Sequence, residues 1–137
     1  MCATPSRRLR RPRERRSDLL FANEHELTTL YGTDDFSVAV GKLRECCPLA
    51  VVTRSRRGSA VVTPDEFIEV PALPVDPIVD ATGAGDMYAA GFLYGITHGK
   101  TLEQSAEIGT ICAAEVIMHM GPRPQVPLAS LLPDDVR

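Results

Sequence analysis

The stretch IVDATGAGDMYAAGF, residues 78–92, sets Gly83, Ala84, Gly85 and Asp86 where an extended segment gives way to a helical pattern. A glycine-rich turn at a helix start presents backbone N–H groups that have no intrahelical partner, and the peptide dipoles add partial positive charge there. Such a turn holds an anion, and the missing Cβ lets the anion's oxygens approach the backbone. Asp86 is the oddity, because a carboxylate beside an anion site repels the anion unless it has another task. With a phosphoryl group over the amides of 83–85 and a hydroxyl between it and Asp86, the carboxylate would act as general base while the amides stabilise the transferred charge. The alternative is a plain glycine turn whose aspartate favours a helix N-terminus. On these residues alone the two readings stand level.

The elements that must position this turn read as an α/β chain. Asp18 to Ala22 suggests a short buried strand, leading to a helix that starts near Asn23 and ends by Gly32. A second helix fits Asp34 to Glu45, where Phe36, Val40 and Leu43 share a face. The valine-rich runs at 49–53, 59–63 and 67–70, separated by RSRRG and PDE, suggest a β-hairpin region. PALPVDP, 71–77, reads as extended linker. Two long helical patterns follow, Gly85 to His98 and Leu102 to Met120, split at Gly99-Lys100-Thr101. The tail with Pro122, Pro124, Pro127 and Pro133 cannot continue a helix and is expected along the surface.

Composition bounds what the chain can be. Its 137 residues, 44% of them hydrophobic, suit one globular unit. No run approaches the roughly 18 apolar residues of a membrane span, and no apolar stretch follows the arginines as in a secretory signal, so a cytoplasmic protein is expected. Seven arginines against one glutamate in 1–17 leave eight basic against seventeen acidic residues in 18–137. The opening is therefore set apart as a disordered arm. No aromatic interleaves with its arginines and the acidic body would repel a phosphate backbone, which argues against nucleic acid. The four cysteines lack zinc-site spacing and read as reduced thiols, with Cys112 as packing.

Four separately placed motifs then agree. Asp80-Ala81-Thr82-Gly83-Ala84-Gly85-Asp86 resembles the D-T-x-G-A-G-D signature of the ribokinase-like, or PfkB, carbohydrate and nucleoside kinases, with alanine at 81 where threonine is frequent. Asn23-Glu24-His25-Glu26 resembles the family's N-x-x-E motif, and Thr53 to Gly58 its T-x-G-x-x-G nucleotide loop. The helix ending in Met120-Gly121 resembles the segment beside the adenine. The resemblance covers roughly residues 18–130. It implies the C-terminal part of a three-layer α/β/α fold, without the N-terminal half and lid, in a partial kinase domain over 18–137.

The resemblance also implies roles. Asp86 would be the base, and Gly83, Ala84 and Gly85 the anion hole. Asn23 and Glu26 would act on Mg²⁺ through water. Thr53, Ser55, Gly58, Thr110 and Gly121 would line the ATP site, and Asp80 corresponds to a monovalent-cation contact of some relatives. The implied activity is transfer of the ATP γ-phosphate to a hydroxyl of a sugar or nucleoside, with a lean toward adenosine-kinase-like members. The alternatives are a truncated, inactive chain that keeps its ATP/anion site, and a non-enzymatic interaction module. Departures fall in the nucleotide site: Ser55 replaces a glycine, Thr110 stands where asparagine is frequent, and Pro122-Arg123-Pro124 replaces a more flexible segment. A sheet cut in this way would leave an unpaired edge and favour self-association.

Other residues need no such role. His25-Glu26 is not a metalloprotease helix, because position 29 is a threonine. His98 and His119, near helix ends, read as caps or surface residues. Arg56 and Arg57 suit a phosphate contact or a solvated turn equally well. Tyr88, Phe92, Met118 and Met120 are expected in the core.

Overall fold

The computed structural model describes residues 18–137, so the reading of 1–17 as a disordered arm lies outside the described residues. Strands β1 (Leu20–Asn23), β2 (Ala50–Thr53), β3 (Ser59–Val62) and β4 (Phe67–Val70) form one sheet in that order. β1 and β2 pair in parallel, with Leu20 opposite Ala50 and Asn23 opposite Thr53. The crossover between them carries α1 (Glu24–Tyr31) and α2 (Phe36–Arg44). The links from β2 to β3 and from β3 to β4 are too short for a parallel crossover, which leaves the hairpin arrangement expected from the sequence. Helices α3 (Ala84–Thr97) and α4 (Leu102–Ile117) complete the regular structure, with a 3₁₀ turn at Leu128–Leu131.

The chain falls into two compact units, one of residues up to Arg54 with Ala60–Ile68, the other of Ser55–Ser59 with Glu69–Arg137. In the first, α1 is bounded as its sequence dictates. Asn23 and Glu26 form a reciprocal capping box, and Gly32 closes the helix in the left-handed region at φ 62°. Asp35 caps α2 by accepting from the Ser37 and Val38 amides. Leu27, Tyr31, Val40 and Leu43 then meet Ala50, Val52 and Val62 in an apolar core.

In the second unit α3 and α4 approach closely through small residues. Gly91 and Gly95, four apart on one face of α3, face Gly109 and Ser105 of α4. A Cβ on Gly95 would stand 2.4–2.7 Å from Ser105 atoms, and one on Gly91 would stand 2.9 Å from the Gly109 Cα. α4 starts with a second capping box, between Thr101 and Gln104.

Four expectations are corrected. α4 stops at Ile117 rather than Met120, because the Ile117 carbonyl accepts the Val79 and Asp80 amides and the Gly121 amide turns to Asp80. Beyond that end Met118 and Met120 are 52% and 74% exposed, not in the core, whereas Tyr88 and Phe92 are buried as expected. The tail does not simply follow the surface: Leu132 and Val136 are buried against Ile108 and Cys112. Cys47 and Cys112 are buried thiols, but Cys46 is disulfide-bonded, which departs from the reading of all four cysteines as thiols. Among the described residues no helix is long and apolar enough to cross a membrane.

Candidate functional site

Asn23, Glu26 and Thr53 belong to the first unit and the other candidate residues to the second. The parallel register sets Asn23 beside Thr53, so the ends of two neighbouring strands bring the N-x-x-E run and the start of the T-R-S-R-R-G loop together. Arg54 braces this corner. Its guanidinium reaches both carboxylate oxygens of Glu24 at 3.4 Å and lies 3.8 Å from the centre of the Phe36 ring.

Asn23 and Glu26 are exposed, and each has a local structural task. Asn23 Oδ1 accepts the Glu26 amide at 2.7 Å, and Glu26 Oε2 accepts the Asn23 amide at 3.1 Å. One carboxylate oxygen of Glu26 is not used by the box. Hard oxygen donors of this kind suit Mg²⁺ held through water. Among the described residues no cluster of three or more His, Cys, Asp or Glu could hold a metal, so a purely protein-ligated ion does not fit here.

The nucleotide-loop candidates show how the Ser55 departure is accommodated. Residues Ser55–Arg57 form a 3₁₀ turn, and Ser55 lies in the left-handed region at φ 53°, the conformation that a glycine at this position adopts without penalty. Gly58 is required by its surroundings, since a Cβ there would stand 2.0 Å from the Val70 carbonyl oxygen. Arg56 and Arg57 are exposed. The next residue, Ser59, shares a buried 2.7 Å hydrogen bond with the Tyr88 hydroxyl and so anchors the loop's end to α3. Burial pushes the Tyr88 phenol up to about 12, with the Ser59 hydrogen bond acting in the opposite sense.

The glycine turn forms as read. Gly83 caps α3 in the left-handed region, at φ 80°, and contributes no side chain to the cap. The Ala84 amide turns back to the Ala81 carbonyl at 3.2 Å, while the amides of Gly85 and Asp86 follow in the first turn, where a helix offers no acceptor. Gly85 and Asp86 are exposed, with nothing within 4 Å of where a Gly85 Cβ would be. A Gly83 Cβ, in contrast, would meet Pro122 Cβ at 2.6 Å. The turn is thus open on the side of Gly85 and backed by the 118–125 loop at Gly83.

Asp80 ties the two together. Oδ1 accepts the Thr82 amide at 2.9 Å and Oδ2 the Gly121 amide at 3.0 Å. The hydrogen bonds from Thr82, and then from Gly121, hold the Asp80 carboxyl below the usual carboxylate range. Gly121 itself sits at φ 85°. Thr110, on α4, donates its hydroxyl to the Ala106 carbonyl at 2.8 Å.

Sequence reasoning passed over Glu115. Its side chain is 5% exposed, and it contacts both His119 and the loop. The available signal was a lone carboxylate in the apolar run ICAAEVIMHM, four residues before a histidine. His98 is structural as expected, stacked on Tyr94 at the end of α3.

Comparison with known proteins agrees with the motifs. The family described as pfkB family carbohydrate kinase matches residues 5–129, reaching back into the arginine-rich opening that the sequence reading set apart. The chain is 38% identical over 109 residues to a cytidine kinase of Thermococcus kodakarensis, spanning 77% of this chain and 39% of that one. It superposes on the crystal structure of adenosine kinase from Sinorhizobium meliloti with a TM-score of 0.81 and 48% identity, over 82% of this chain and 35% of the other. Arabidopsis thaliana ribokinase complexed with ribose and ATP gives a TM-score of 0.75 at 28% identity, over 83% and 39%. The chain therefore spans well under half the length of these relatives.

Proposed function

The chain belongs to the pfkB family of carbohydrate kinases, and on that premise we propose that it takes part in transferring the γ-phosphate of ATP to a hydroxyl of a sugar or nucleoside. The observation that carries this reading is the exposed Asp86 directly after the open first-turn amides of α3. In the step, Asp86 takes the proton of the acceptor hydroxyl. The acceptor oxygen forms a bond to the γ-phosphorus as the bond to ADP's oxygen breaks. The Gly83 and Gly85 amides would face the transferred group as it gains charge, where fixed dipoles need no reorganisation, whereas the Ala84 amide is turned to the Ala81 carbonyl. Mg²⁺ would neutralise phosphate charge when bound. Glu26, through its oxygen outside the capping box, and Asn23 would hold that ion's water shell.

Thr53, Ser55, Gly58, Thr110 and Gly121 would border the nucleotide. The Thr110 hydroxyl is committed to its own helix, so its contribution there is shape rather than hydrogen bonding. The 48% identity to an adenosine kinase supports a nucleoside acceptor. A second reading is ATP binding without turnover. One experiment separates them: ATP consumption with Mg²⁺ and a panel of adenosine and common sugars, beside Asp86→Asn. Turnover that falls at least 100-fold in the variant is expected for a general base. An unchanged rate would refute that assignment. Wild-type ATP binding without turnover would establish the second reading.

A further inference from the structure

Glu115 is badly placed for helix stability. It is a carboxylate in the last turn of α4, where the helix dipole opposes negative charge, and it is buried. Its Oε2 is buried without a hydrogen-bond partner among the described residues. Oε1, in contrast, takes two donors. His119 Nε2 lies 2.9 Å away, one turn along the chain, and the Gln125 amide lies 3.0 Å away, ten residues on. His119 Nδ1 stands 3.3 Å from the Met120 carbonyl oxygen. A single carboxylate oxygen thus gathers both ends of the 118–125 loop.

That loop has two contacts with the glycine turn. Its Gly121 amide is held by Asp80, the first residue of the D-A-T-G-A-G-D run, and its Pro122 fills the space beside Gly83. We propose that Glu115, paired with His119, is a positioning residue: by fixing the 118–125 loop it sets the glycine turn 83–85 against which the phosphoryl group would lie. The hydrogen bonds from His119 and the Gln125 amide compensate part of the cost of burying the carboxylate. Its meaning for phosphotransfer rests on the function proposed above, whereas its meaning for geometry does not.

The test is site-resolved amide exchange by NMR on the whole chain, with inorganic phosphate and ATP titrations alongside. Glu115→Leu fills the same space but removes the acceptor, and Glu115→Gln keeps an acceptor oxygen without the charge. In Glu115→Leu the exchange of the Gln125 and Gly121 amides should speed up at least tenfold. The Gly83 and Gly85 resonances should move, and the amides of Ile108 and Cys112 should stay protected. Glu115→Gln should restore both loop amides. Should Gln125 alone speed up, with Gly121, Gly83 and Gly85 unmoved, Glu115 is only a local tether and the inference fails. It fails equally if Glu115→Gln behaves like Glu115→Leu. In the titrations the positioning role predicts weaker ATP binding in Glu115→Leu and recovery in Glu115→Gln. Absence of ATP binding in the wild type would overturn the proposed function and leave the exchange result to decide the positioning claim.

Discussion

Two glycine-to-alanine changes should move stability in opposite directions. Gly41 lies inside α2, with nothing within 4 Å of the position its Cβ would take. Alanine there gains the helix-propensity difference and should stabilise by about 0.5–1 kcal/mol. Gly95 lies inside α3 and would gain the same term. Its Cβ, however, meets Ser105 Cα and Cβ at 2.7 Å and Oγ at 2.4 Å. Carbon atoms pack at about 3.5–4 Å, so the helices would have to part by roughly 1 Å at this point. Two of those three atoms sit at or next to the backbone, which has no rotamer to escape into. Overpacking of this kind costs about 1–3 kcal/mol, which leaves Gly95→Ala net destabilising by up to roughly 2 kcal/mol after the propensity gain. Urea denaturation followed by far-ultraviolet circular dichroism reads both changes as shifts of midpoint at constant slope. A Gly95→Ala protein as stabilised as Gly41→Ala would show that α3 and α4 do not approach as described.

Two further outcomes follow from single side chains. Ser55→Gly removes the left-handed strain at φ 53° against the entropy of a freer chain, and should raise stability by about 0.5 kcal/mol; a loss of thermal stability would show that the serine side chain supports the turn. Tyr88 ties stability to alkaline pH. Its folded pKa, about 12, lies above the unfolded value near 10, so its contribution is complete below pH 10 and is lost as pH rises toward 12. Unfolding free energies from urea titrations at pH 9–11 should fall by about 1.4 kcal/mol per pH unit above 10 from this group. Tyr88→Phe should remove that slope while leaving the Ser59 hydroxyl unpaired, and an equal slope in both proteins would contradict the assignment.

Elements bounded by local chemistry were legible in the sequence. α1 is delimited by Asn23, Glu26 and Gly32, all within its own run, and the valine-rich strands needed only alternation with turn residues. The glycine turn was readable for the same reason, because Gly83 and Asp86 act within one turn of helix. Features set by distant partners were not. The end of α4 depends on amides of Val79 and Asp80, nearly forty residues earlier, that take the Ile117 carbonyl. A helical period alone therefore ran on through Met118 and Met120 and placed them in a core they do not reach. Leu132 and Val136 gave no periodic signal among the tail prolines, yet they cover Ile108 and Cys112. For the candidate site, the sequence named the motif residues, and the local form of the 83–86 turn was legible. The double employment of Asn23 and Glu26, as capping box and as proposed ion contacts, emerged only from the geometry.

The unequal surroundings of the two signature glycines decide how this turn can be dissected. Pro122 already occupies the place of a side chain at Gly83, so any replacement there displaces the supporting loop whether or not an anion is present. A loss of function at that position would confuse scaffolding with recognition. Gly85 has open space on the corresponding side. A methyl group placed there meets no neighbouring side chain and obstructs what comes from solvent, so, once the helix-propensity gain that Gly41→Ala measures is subtracted, Gly85 is the position where mutagenesis asks about the ligand.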